Sequence, residues 1–173
     1  MQKSIIASFL AIAALAPAAA FASDGTITIN GTVTAQTCTI NGGSPNLAVT
    51  LPTVSTSALA SAGQTATPTP FTIALTACNP NSGNVRAFFE TGSNVLATRR
   101  LKNNGTATNL EIGLLNTDNT PIAIGAASGA QGTSSVAISS GSANLTYMAQ
   151  YVATGPVGAG TVTTSVTYSI EFP

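Results

Sequence analysis

The 173-residue chain balances five Lys or Arg against five Asp or Glu, contains no His, and is 44% hydrophobic and 6% charged. Neither charge sign dominates, so no basic face is offered to a phosphate backbone and nucleic acid is not an expected partner; the hydrophobicity is also too high, and the net charge too low, for disorder. Without His, Ser-His-Asp and Cys-His sites are excluded, and the scattered acids aim no acid-base pair at one point, so no enzyme, cofactor, metal or small-molecule substrate is expected.

Met1-Gln2-Lys3, an apolar run from Ile5 to Leu15, Pro17 and the small-residue triplet Ala20-Phe21-Ala22 follow the charged, apolar, cleavable order of a secretory signal. Cleavage is placed after Ala22, making 1–22 a signal peptide; its apolar run is shorter than the roughly 20 residues that span a bilayer. Residues 23–173 then remain, enough for one domain with one core.

The mature part opens with an alternation, Ile27, Ile29, Gly31 and Val33 on one side against Thr26, Thr28, Asn30 and Thr32 on the other, which predicts a strand. Cys38 and Cys78, the only cysteines, follow export into an oxidising compartment and are read as one disulfide. Closing that loop restricts the unfolded chain by roughly 4 kcal/mol on the entropy model. Shorter apolar runs predict strands at Leu47 to Leu51, Phe71 to Cys78, Val85 to Glu90, Leu110 to Leu115, Ser135 to Ile138 and Ala143 to Val152. Turn signals separate them at Asn41-Gly42-Gly43, Pro68 and Pro70, Asn79-Pro80, Asn103-Asn104-Gly105, and Gly125 to Gly132. Ser57 to Ala62 is long enough for one short turn of helix.

Gly158 and Gly160 supply a turn before the clearest period in the chain. Val162, Thr164, Val166, Tyr168, Ile170 and Phe172 alternate with Thr161, Thr163, Ser165, Thr167, Ser169 and Glu171, predicting a long strand with one buried face. Many short strands with Gly, Pro and Asn between them predict an all-β antiparallel sandwich. Its neutral exterior of Thr, Ser, Asn and Gly lacks the self-repulsion that keeps monomers apart, which suits an assembly. The cluster Arg99-Arg100-Leu101-Lys102 is read as a solvated loop, and the Asn-X-Thr patterns at Asn30, Asn104 and Asn144 are assigned no function.

Four pieces, in this order and spacing, carry a resemblance: Gly25 to Val33 followed by Cys38, Phe71 to Cys78, Tyr147 to Gly155, and the terminal strand from Gly160 to Phe172. Together they resemble the major-subunit pilins of the chaperone-usher pathway, the type 1 fimbrial family, over essentially the whole mature chain. The resemblance implies an incomplete immunoglobulin-like β-sandwich, lacking its final strand and so carrying an open groove beside the last strand of its own chain. It divides the mature chain into a donor-strand arm, 23–36, and a pilin domain, 37–173. In such a family a periplasmic chaperone fills the groove, an outer-membrane usher receives the complex, and the arm of the next copy replaces the chaperone to build a surface fibre.

On that pattern Ile27, Ile29 and Val33 enter a neighbour's groove, and Gly31 meets a shallow place in it. Gly160, Val166, Tyr168, Ile170 and Phe172 form the acceptor and chaperone-binding strand. The expected function is a structural fimbrial subunit polymerising by donor-strand exchange for surface adhesion, its partners being further copies of itself, the chaperone and the usher. The alternative is a minor tip adaptor or single-domain adhesin; a two-domain adhesin is excluded because residues 23–37 alone precede Cys38 in the mature chain. The short start before Gly25 and the terminal Pro173 depart from the family pattern.

Overall fold

The computed structural model of the chain describes residues 25–31 and 35–173. The signal peptide 1–22, Ser23, Asp24 and the predicted groove residue Val33 lie outside the described residues. The chain divides into two compact units, Met1–Val33 and Thr34–Pro173.

In the first unit, residues 25–31 have no regular secondary structure, and Ile27 and Ile29 are 89% and 90% exposed. The alternation predicts a strand here, and the difference has a simple cause. An alternating segment has the side chains of a strand, but a strand exists only once a second backbone takes its hydrogen bonds.

The second unit is built from antiparallel ladders alone. Its strands are β1 (Thr37–Ile40), β2 (Thr65–Asn79), β3 (Gly83–Phe89), β4 (Leu101–Lys102), β5 (Thr108–Asn116), β6 (Val136–Ile138), β7 (Ala143–Gly158) and β8 (Tyr168–Glu171). One sheet has the order β1-β2-β7-β5-β4 and the other β6-β3-β8. Two 3-10 turns, Asn41–Gly43 and Thr56–Leu59, are the only helical pieces among the described residues. None is long and apolar enough to cross a membrane.

Alternation decides which side chains fill the space between the sheets. Ile73 and Leu75 of β2, Val85, Ala87 and Phe89 of β3, Ile112 and Leu114 of β5, and Leu145 and Tyr147 of β7 share one buried cluster. The Tyr147 ring stands edge-on to Phe89, with centroids 5.4 Å apart. Its hydroxyl accepts the Ala87 amide at 3.0 Å, and the buried Gln131 carboxamide exchanges bonds with the Phe89 backbone at 2.9 and 2.6 Å. β6 pairs with β3 only from Gly83 to Val85. Beyond that point, side chains stand in for the missing strand.

Pro68 and Pro70, expected in a turn, lie inside β2. Proline is tolerated because β1 covers β2 only from Leu75 to Asn79, leaving that edge of the Pro68–Pro70 stretch without a ladder to supply. The register against β7 also shifts between Ala66 and Thr69, where Thr67 takes a positive φ of 47°.

Candidate functional site

After Gly158 the chain leaves the five-stranded sheet and joins the three-stranded one, where β8 pairs with β3 through Ala87↔Ile170 and Phe89↔Tyr168. The crossing is close. A Cβ on Gly105 would run into the Thr161 carbonyl, and one on Gly160 into Thr106 and the Ala107 amide, so both positions need glycine for backbone to pass backbone.

Among the described residues, the segment from Thr161 onward is held along one edge. The carbonyls of Thr161 and Thr163 accept the amides of Ala107 and Asn104 at 3.0 and 2.8 Å, and that of Thr167 accepts the Glu90 amide at 2.9 Å. Asn94 Nδ2 reaches the Ser165 carbonyl at 3.0 Å. Asn103 works as a clasp, its Oδ1 accepting the amides of Thr163 and Gly105, each at 2.9 Å, while its Nδ2 donates to the Ala107 carbonyl at 2.9 Å.

In an extended chain successive residues direct their backbone groups to opposite edges. The residues between those just named, Val162, Thr164 and Val166, therefore turn theirs the other way. Among the described residues these groups have no hydrogen-bond partner. Burial alternates in step, with the side chains of Val162, Thr164, Val166, Tyr168 and Ile170 half-buried and those between them exposed. The predicted face is thus present, but it is half covered rather than buried. The ladder recognised as a strand is confined to Tyr168–Glu171.

Beside the open edge lies a groove of about 1080 Å³. Phe71, Ile73, Ile112, Leu114 and Tyr151 from the five-stranded sheet line it, together with Phe89. Gly160, Val162, Val166 and Tyr168 line it from the C-terminal segment, and Leu47, Val49 and Leu51 from residues 45–56. The strand predicted at Leu47 to Leu51 has no ladder; Leu47 and Val49 are 42% and 38% exposed, and the amides of residues 46–54 donate no backbone bond among the described residues. The two segments are joined where the Tyr168 hydroxyl donates to the Pro45 carbonyl at 2.6 Å. The Tyr151 hydroxyl likewise holds the Pro52 carbonyl at 3.1 Å. Burial pushes both phenols above the ordinary tyrosine range. Thr164 Oγ1 is buried without a partner among the described residues.

Of the residues expected at the acceptor strand, Gly160, Val166 and Tyr168 line the groove, while Ile170 and Phe172 pack against the core. Sequence reasoning missed the Asn103 clasp, because a turn-forming Asn pair carries no mark of a long-range role. Cys38 on β1 and Cys78 on β2 are joined as a disulfide, tying a four-residue edge strand to its neighbour. No group of three or more metal-ligating side chains occurs among the described residues.

Two antiparallel sheets around one core, with an apolar groove beside a half-paired C-terminal edge, define an immunoglobulin-like sandwich of the pilin class. Residues 51–173 match the family model described as type-1 fimbrial protein, A. The chain is 44% identical to the F17 fimbrial protein of Escherichia coli, over 93% of its own length and 94% of that protein's. It is 48% identical to the major fimbrial subunit SMF-1 of Stenotrophomonas maltophilia (strain K279a), over 92% and 98% respectively. The crystal structure of the P pilus rod subunit PapA shares the fold, with a TM-score of 0.59 at 17% identity, covering 79% of this chain and 99% of PapA. The chain belongs to the type-1 fimbrial protein family and is a structural fimbrial subunit.

Proposed function

We propose that this subunit polymerises by strand addition, residues 23–36 of one copy entering the groove of the next. The observation that carries this reading is the C-terminal edge from Val162 to Val166, whose outward backbone groups have no partner among the described residues and lie beside an apolar groove. An exposed edge of this kind is a template for a further strand. Ile27, Ile29 and Val33 have the spacing to enter such a groove from one face, and Gly31 fits where a Cβ would not. Each apolar side chain contributes about 1.5–3 kcal/mol on full burial and each net hydrogen bond on the order of 1 kcal/mol, so the joint rivals the stability of a whole domain.

Such an edge is an aggregation hazard before assembly, and a transient strand donor during export is the physical remedy. A periplasmic chaperone fills that role and an outer-membrane usher receives the complex, placing the mature chain, after cleavage behind Ala22, in a fibre on the cell surface. The subunit's work is mechanical, with no catalytic step. Deleting residues 23–36 is expected to leave a chain that folds with a chaperone but builds no fibre, as read by electron microscopy of sheared surface material. Long fibres from that chain would overturn the donor assignment. Fibres of the full chain should run as a multimer ladder after gentle warming in detergent and collapse only on boiling in acid.

A further inference from the structure

Three Asn-Gly steps occur in the chain: Asn30-Gly31, Asn41-Gly42 and Asn104-Gly105. This step is the one most prone to deamidation, because glycine has no side chain to hinder its amide nitrogen from reaching the preceding carboxamide carbon. Folding suppresses the reaction where those groups are fixed by hydrogen bonds that must first open.

Two of the three steps are held at the Asn carboxamide, and Asn104-Gly105 at the glycine amide as well. The Gly105 amide donates to Asn103 Oδ1 at 2.9 Å, and Asn104 is held at its amide by the Thr163 carbonyl at 2.8 Å and at its carboxamide by Asn94 Oδ1 at 2.9 Å. Asn41 Oδ1 accepts the Ala74 amide of β2 at 2.8 Å, and its Nδ2 is buried. Asn30 and Gly31 are instead exposed and outside regular secondary structure, and a Cβ built on Gly31 would meet nothing within 4 Å.

We propose that Asn30 is a deamidation site that limits how long an unassembled subunit stays able to join a fibre, an inference that rests on residues 23–36 being the donor arm. The Gly31 main-chain nitrogen attacks Asn30 Cγ, ammonia leaves carrying the proton released from that nitrogen, and a cyclic imide closes. Water then opens either imide carbonyl, giving aspartate or isoaspartate at position 30; water is the sole co-reactant. Either product puts a negative charge between Ile29 and Gly31. Isoaspartate also adds a main-chain carbon, which breaks the period of two, so that Ile27 and Ile29 no longer share a face with Val33. A seated arm is protected, because a ladder holds the Gly31 nitrogen away from the carboxamide.

The test follows conversion of amide to acid by peptide mass mapping in two preparations aged side by side at mildly alkaline pH. One is the full mature chain from periplasmic extract with any chaperone it carries; the other is sheared fibres from the same cells. Conversion at Asn30 is expected to run about tenfold or more faster in the unassembled chain than in fibres, and by a similar factor faster than at Asn41 or Asn104. The aged unassembled chain should lose its capacity to extend fibres, whereas an Asn30→Gln chain, compared with its own fresh capacity, should lose none on ageing; Asn30→Ser gives the same comparison if the Gln chain fails to assemble. No conversion at Asn30, or equal conversion at Asn41 or Asn104, overturns the proposal and leaves the arm's role standing. Equal conversion at Asn30 in fibres overturns the protection by assembly; fibres from the chain lacking residues 23–36 would overturn the donor reading separately.

Discussion

Tyr147 joins the two sheets through both ends of its side chain. Its ring packs against Phe89, while its hydroxyl takes the Ala87 amide of β3 at a point β6 does not reach. Tyr147→Phe keeps the ring and strands a buried amide, so a loss of about 1–3 kcal/mol is expected, measured as a lower denaturant midpoint at unchanged slope. Nothing in the sequence marks this hydroxyl: the alternation of β7 places Tyr147 inside, but only the short reach of β6 gives its oxygen a partner. Gln131 and Asn103 are similar cases, each a polar residue within a turn signal whose side chain takes backbone hydrogen bonds that no strand supplies among the described residues.

The C-terminal segment is two elements in one run of alternating residues. Tyr168–Glu171 is a strand anchored on β3, where Arg86 and Glu171 pair across the ladder at 2.9 Å; residues 161–167 form a rim held by side chains and loop amides. Val166 lies in the rim and lines the groove. Val166→Asp is expected to leave the β3–β8 ladder intact and abolish joining, because a buried carboxylate there has no cation to pair with. The check is the loss of chaperone-bound subunit from periplasmic extract together with the absence of surface fibres, because both strand donors enter the same groove; fibres in normal number would show that Val166 does not meet the incoming strand. The arm illustrates the complementary case, since its Ile27 and Ile29 alternate as strand residues do and yet stand exposed.

For the whole molecule, the three tyrosines predict a response to alkali. Burial raises Tyr147, Tyr151 and Tyr168 above the ordinary value of about 10. A raised value in the folded state means that the corresponding stability is fully present below about pH 10 and is lost as pH climbs through the folded values. Ionisation also removes the proton that Tyr168 donates to Pro45 and Tyr151 to Pro52, which releases residues 45–56 from the groove wall. Fibres held above that pH should therefore dissociate at a lower temperature in a multimer-ladder assay, with no such fall between neutrality and pH 9. Tyr168→Phe should reduce the alkaline sensitivity.

The sequence by itself determined the all-β class, the faces of the central strands, the pairing of Cys38 with Cys78 and the two-sided C-terminal run, because side-chain period and thiol chemistry are local properties written residue by residue. Tertiary structure decided which backbones find partners. Leu47 to Leu51 and Thr161 to Thr167 read as strands as clearly as β5 does, but among the described residues no third segment lies between them to complete the ladder. Pro68 and Pro70 read as a turn yet sit in β2, because β1 is too short to claim that edge. Hydrogen bonding between distant segments is a property of their arrangement, and among the described residues the groove lies where the edge from Val162 to Val166 finds no partner.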